Sequence, residues 1–230
     1  LKQLVLSGNR YMRLTSECIV AVLADPENRF VSLNMGNCGL DCGVLKACCP
    51  ALGRHPFLRE LQLNSNDFGD DGGEILFSNL VKGNCMLENI SLDRCKFESC
   101  RWAVHLPQLA SMHTLSLSYN NITDTGLQEL CRYAERSFSM RSLSLASNAF
   151  GERAICLGSL LQCNPGLIHL DVSGNMIHTE AVESIAFGVL NNKTMLRMNM
   201  SNCVISSDNA MKLCKSLLTN PLMELDLSQN

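Results

Sequence analysis

The sequence is poor in aromatic residues and shows no marked excess of either charge. Aromatic side chains make up 5% of its 230 residues, with one tryptophan, while apolar residues make up 46%. That balance excludes a core of a few large ring-filled layers and suits many small, similar ones. No stretch approaches the roughly 18 consecutive apolar residues that a membrane-crossing helix requires, because charges interrupt each apolar run. The start, LKQLVL, lacks the basic-then-apolar layout of a secretory leader. There is no phosphate-cradling G-x-x-x-x-G-K-S/T; the run from Gly69 to Gly73 is GDDGG, whose acids would repel phosphate, and it reads as a turn into a helix. Cysteine is abundant at 13 residues, but the number is odd and the positions do not form a paired framework. These are read as reduced thiols, which places the chain in the nucleus or cytoplasm and not outside the cell.

What is present is a repeat. The stretch LRELQLNSNDF puts leucines at Leu58, Leu61 and Leu63, an asparagine at Asn66 and an apolar ring at Phe68. That spacing is the L-x-x-L-x-L-x-x-N-x-φ unit of a leucine-rich repeat, a short strand followed by a turn that a buried asparagine closes. Sliding the unit along the chain places closing residues at Asn9, Cys38, Asn66, Cys95, Asn120, Asn148, Asn175, Cys203 and Asn230, which by subtraction lie 25 to 29 residues apart. Asparagine suits the position because its amide both donates to and accepts from the backbone of adjacent turns. Cysteine is a small, weakly polar substitute. Both ends fall in phase with the repeat, and the expectation is one array over residues 1–230, about eight full repeats and a final strand, excerpted from a longer protein.

Between closing residues the period changes from two to 3.6. Leu127, Leu130, Cys131 and Ala134 follow helical spacing, as do Val182, Ile185, Ala186 and Val189, and again Ala210, Leu213, Cys214 and Leu217. Thr123-Asp124 and Ser206-Ser207-Asp208 supply capping residues where such helices should start. Helices are wider than the strands they back, so the expected fold is an α/β solenoid, a horseshoe with parallel strands on its concave face and helices on its convex face. The shortest interval, Cys95 to Asn120, contains Pro107, which predicts a short or distorted helix there. Trp102 lies in the same interval, either filling the gap left by missing residues or anchoring a partner.

Repeats of this length, with helices and with Asn and Cys sharing the closing position, resemble the ribonuclease-inhibitor-like class of leucine-rich repeats. The run LRELQLNSNDFGDDGGEILFSNLVKGNCMLENISLDRCKF followed by LSLSYN, together with SNCVI further on, also resembles the C-terminal repeat array of Tonsoku-like proteins. That second resemblance implies a nuclear scaffold of replication-fork repair, whose array holds a large partner subunit. Two other proteins built on the same class remain open: the ligand-sensing array of a nucleotide-binding innate-immunity receptor, and a GTPase-activating protein for a nuclear-transport GTPase.

No residue set reads as catalytic or metal-binding, and no cofactor is expected. Cys38, Cys42, Cys48, Cys49 and His55 gather in sequence, but they lack paired-ligand spacing and read as core thiols. The five histidines fall on different repeats. Four N-x-S/T sequons occur, at Asn89, Asn121, Asn192 and Asn199, two of them inside expected strands where a glycan would block the inner surface. Function is therefore expected on the concave surface, where residues between the leucines point away from the core. The candidate partner-binding residues are Arg59, Glu60, Asp93, Arg94, His113, Tyr119, Arg141, His169, Asp171 and Arg197. Charges on this face nearly cancel, so a protein partner is expected and not a nucleic acid. Arg59, Arg94, Tyr119 and Arg141, with His113 beside them, are expected to form a central group, since Arg and Tyr carry much of the affinity at interfaces. The many serines between the leucines are either soluble filler or part of that surface.

Overall fold

A computed structural model describes residues 1–9, 12–25, 27–83, 85–217 and 221–230, with the side chains of 12–16 left aside. Among the described residues, nine three-residue strands are β1 Gln3–Val5, β2 Ser32–Asn34, β3 Glu60–Gln62, β4 Asn89–Ser91, β5 Thr114–Ser116, β6 Ser142–Ser144, β7 His169–Asp171, β8 Arg197–Asn199 and β9 Glu224–Asp226. They form one parallel sheet in sequence order. Register is unbroken: Leu4, Leu33, Leu61, Ile90, Leu115, Leu143, Leu170, Met198 and Leu225 stand side by side. From Leu33 to Met198 this column is buried. A second column two residues on, from Met35 to Met200, is buried with it, as the two-residue period of a strand requires.

Between the strands run α1 Met12–Ala24, α2 Cys42–Arg54, α3 Gly69–Lys82, α4 Asp124–Ala134, α5 Cys156–Cys163, α6 Thr179–Asn191 and α7 Ser207–Ser216. Their starts follow from side-chain capping. Thr123 accepts from the Gly126 N–H, Ser206 from Asn209 and Asp41 from Val44, each meeting a donor that the first helical turn leaves free. Leu127, Leu130, Cys131 and Ala134 are fully buried, as their spacing predicts. The third expected set differs: in α7 Leu213 is buried, but Ala210 and Leu217 are only partly covered and Cys214 is exposed. Packed helices stand about 8–10 Å apart and paired strands about 4.8 Å, so the stack bends with the sheet on the inside.

The repeat closed by Cys95 carries a 3-10 helix, Arg101–Gln108, in place of an α-helix, with Pro107 inside it. Trp102 is fully buried there and stacks on Phe77 at 4.4 Å between ring centroids, while Phe97 lies 5.1 Å away. Of the two readings of this tryptophan, the core one holds. A side chain at Gly73 would collide with Trp102 and Phe97, so the glycine of GDDGG makes room for the ring. The same run starts α3, and its Asp70 carboxylate accepts the backbone N–H groups of Glu98, Ser99 and Cys100 at 3.2, 2.8 and 2.9 Å. An acid that looked like a surface turn residue in fact clamps the next repeat.

Turn chemistry closes the strand exits and, before β3, β7 and β8, the entrances too. At the exit, Asn66, Asn120, Asn148 and Asn175 each donate to a carbonyl of their own repeat and to one of the preceding repeat. At the entrance, Asn164 and Asn192 are buried, accept two backbone N–H groups after the helix and donate back across the repeat. This second, irregular ladder has no counterpart in the repeat signature. His55 occupies the equivalent turn, its Nδ1 accepting from the Leu58 N–H at 3.1 Å. Burial, followed by the Arg59 cation, holds this imidazole below its usual pKa range.

Candidate functional site

Away from the helices, the sheet presents side chains in rows set by strand register. The first outward row runs Gln3, Ser32, Glu60, Asn89, Thr114, Ser142, His169, Arg197 and Glu224, and the last runs Val5, Asn34, Gln62, Ser91, Ser116, Ser144, Asp171, Asn199 and Asp226. Across β3 to β6 these rows are almost uncharged and small. Glu60, Gln62, Asn89, Ser91, Thr114 and Ser116 line a shallow depression of about 320 Å³.

Several serines of this face bond to their neighbours, whereas the buried Ser32 hydroxyl on β2 has no partner among the described residues. Ser91 donates to Asn64 at 2.8 Å, Ser116 donates to Asp93 at 2.6 Å, and the Ser118 and Ser144 hydroxyls lie 2.7 Å apart. These bonds link neighbouring repeats across the sheet, leaving a floor of low relief. The expected acidic contacts are partly used up in the same way. Asp93 also accepts the Ser118 N–H at 2.8 Å, and Asp171 accepts both the N–H and the hydroxyl of Ser173. At Asp226 the equivalent bonds from Ser228 hold the carboxyl below its ordinary range. Glu60, His169 and Arg197 remain on the first outward row, and Arg197 is exposed.

The expected central group is split. Arg59, His113 and Arg141 precede their strands, whereas Arg94 and Tyr119 follow theirs. The two positions lie six residues apart in each repeat, on opposite ends of a three-residue strand. At the entrance, Arg59 donates to the Pro56 and Leu58 carbonyls and lies 3.5 Å from Glu88. Arg141 donates to the carbonyls of Phe138 and Gly166 at 3.3 and 2.9 Å. Both guanidinium groups staple helix-to-strand loops, so their first role is structural. At the exit, the Arg94 guanidinium lies over the Tyr119 ring at 4.2 Å.

Both residues of that exit pair sit at positive φ, 57° in each case. For a residue with a side chain this conformation costs roughly 1–2 kcal/mol, and glycine or asparagine occupies the same place at Gly8, Asn37, Gly174 and Asn202. Tyr119 is nonetheless 52% exposed. Further along the same rim stand Met176 and Val204, 65% and 69% exposed, each directly after its closing residue. Sequence reasoning passed over these two. The available signal was an apolar residue where other repeats have Gly39, Asp67, Lys96, Asn121 or Ala149.

The thiols near CGLDC enter the core. Cys38, Cys48 and Cys49 are buried, and burial raises the pKa of Cys49 to about 12. Among the described residues, no group of three or more His, Cys, Asp or Glu could hold a metal ion, and no helix is long and apolar enough to cross a membrane.

A family model described as Leucine Rich repeat matches residues 54–76, 108–131 and 163–186. Among solved structures, an internalin from Listeria monocytogenes superposes with a TM-score of 0.54 over 90% of this chain and 57% of that one, at 20% identity. The fold is a leucine-rich-repeat solenoid. Its repeats are similar to those of ribonuclease inhibitors. The ribonuclease inhibitor of Mus musculus is 29% identical over 100% of this chain and 52% of its own length, and that of Sus scrofa is 28% identical with the same coverage. "NACHT, LRR and PYD domains-containing protein 12" of Homo sapiens is 30% identical over 78% of this chain and 18% of its own length. The chain thus spans about half the length of the two ribonuclease inhibitors.

Proposed function

We propose that this solenoid is a non-enzymatic protein-binding module that receives a folded partner against its concave sheet face. The observation that supports this reading is the low-relief hydroxyl and amide floor over β3 to β6, open to solvent and flanked by an entrance row carrying His113 and Arg141 and an exit row carrying Arg94 and Tyr119. Small side chains let a partner approach closely, the hydroxyls of Ser91, Ser116 and Ser144 are already bonded, and the flanking Arg and Tyr supply directed contacts. Thiols that donate hydrogen bonds within closing turns support a reducing compartment, nuclear or cytoplasmic.

The test places bulk on the floor. Affinity capture with Thr114→Arg/Ser142→Arg should lose the partner that the unmodified chain retains, while a convex-face control, Phe187→Arg, keeps it and thermal unfolding is unchanged in both. Loss with Phe187→Arg alone would overturn the concave reading.

Three partner classes follow from the relatives and from the sequence run. Alignment of the whole chain with ribonuclease inhibitors favours a ribonuclease as the partner, which inhibition of RNA cleavage by the purified chain would test. The domain composition in the name of the human relative favours a ligand-sensing array beside a nucleotide-binding domain. The replication-fork scaffold rests on LRELQLNSNDF and the repeats after it, and predicts that fork-repair subunits appear in the concave-dependent capture.

A further inference from the structure

The exit rim carries more than the floor does. Arg94 is exposed, lies over the Tyr119 ring, and its guanidinium has no ion pair or hydrogen bond within the described structure. The other cation of the same turn, Lys96, is already matched by Asp67 at 2.7 Å. Arg94 therefore offers a single planar donor fork suited to one carboxylate. A phosphate group is usually held by a cluster of arginines, and Lys96 is committed elsewhere.

Along the rim from this cation the chemistry turns apolar. The turn after β6 has only Ser147 and Ala149, the turn after β7 has Gly174 and exposed Met176, and the turn after β8 has exposed Val204. Val204 is β-branched and sits at φ 58°, a conformation that such residues rarely adopt. With 69% of its surface exposed, it repays that strain with little internal packing. Met176 and Val204 lie three and four strands from Arg94, about 14 and 19 Å at the strand spacing.

Resting on the protein-binding reading above, we infer that the strand-exit rim binds an extended peptide segment of the partner, crossing the repeats with a carboxylate on Arg94 and an apolar side chain against Met176 and Val204. An extended chain advances about 3.3 Å per residue, so the two anchors of the peptide stand four to six residues apart. The aliphatic part of the acidic residue packs on Tyr119, and the small residues between the anchors leave room for the peptide backbone.

A displayed library of random twelve-residue peptides, panned on the 230-residue chain, tests this. The expected result is enrichment of peptides with Asp or Glu four to six residues from a large apolar residue. Their binding should weaken at least ten-fold on Arg94→Ala and on Met176→Ser/Val204→Ser, and panning on Arg94→Glu should select Lys or Arg instead. Circular dichroism of each variant verifies the fold. Failure to enrich, enrichment without an acid, a requirement for phosphorylated peptides, or undiminished binding to folded Arg94→Ala would each overturn the inference. If Thr114→Arg/Ser142→Arg abolishes capture of the whole partner while no peptide enriches, the rim inference falls and the concave reading stands.

Discussion

Two kinds of turn end the strands of this solenoid, and they differ by one side chain. At an asparagine-closed turn, Asn120 Oδ1 accepts the Cys95 and Phe97 N–H groups at 2.8 and 3.2 Å while Nδ2 donates to Leu92 and Leu117 at 3.0 and 2.9 Å. At a cysteine-closed turn, Cys95 Sγ donates to the Leu63 carbonyl at 3.3 Å. With no side-chain carbonyl in reach, the Phe68 N–H turns to the Asn66 carbonyl and the Gly69 N–H to the Cys95 carbonyl. Backbone conformation follows. Asparagine turns need one residue at positive φ, just before the closing position, as at Ser65, Tyr119, Ser147 and Gly174. Cysteine turns have a second just after it, as at Gly39, Lys96 and Val204. The hydrogen-bonding capacity of one buried residue thus decides how its neighbour is presented on the rim, and Val204 owes its strained backbone to Cys203.

The largest effect should come from removing the better-bonded residue. Asn120→Ala leaves the Cys95 and Phe97 N–H groups and the Leu92 carbonyl unmet, while Asn148 still bonds the Leu117 carbonyl, and should cost on the order of 3 kcal/mol, read from the urea midpoint. Cys95→Ala, which removes one weak donor, should cost about 1 kcal/mol; equal losses would break the comparison.

Alkaline pH should act on the cysteine turns next. Burial raises the Cys95 thiol from 9.0 to about 12. Above pH 9 the unfolded chain releases this proton while the folded chain keeps it, so stability falls as pH rises from 9 towards 12. The slope is about 1.4 kcal/mol per pH unit for each such thiol. Denaturation midpoints from pH 8 to 11 should decline less steeply in Cys95→Ala, provided that both variants are compared with their own values at pH 8.

The smallest effect separates the two apolar rim residues. Val204→Gly relieves a positive φ and should stabilise the chain by about 1 kcal/mol, whereas Met176→Gly, at a position of ordinary φ, should give no gain in thermal unfolding. A gain at both positions would show that the strain does not come from the cysteine turn.

How much of this was legible before folding depended on whether a residue's role is local. The leucine columns, the closing ladder, the caps at Thr123 and Ser206 and the distorted repeat at Pro107 all follow from spacing of two, 3.6 or 25 to 29 residues. The candidate group around Arg94 was legible only in part. Strand alternation says that Arg59, Arg94 and Arg141 point away from the core. It does not reveal that Gly166 offers Arg141 a carbonyl, or that Tyr119 lies beneath Arg94.

Sequence alone determined the architecture, because each repeat buries the same pattern against a near-copy of itself and small errors in one unit do not alter the next. Tertiary structure decided which outward residues are free. Asp70, Arg141 and Asp93 spend their polar groups on adjacent repeats and Arg59 donates to the carbonyls of its own loop, while Arg94 keeps its donors free and Met176 and Val204 stay exposed. The physical reason is that a hydrogen bond requires two groups within about 3 Å of each other. For residues about 25 to 30 positions apart, only stacking of one repeat on the next brings that about.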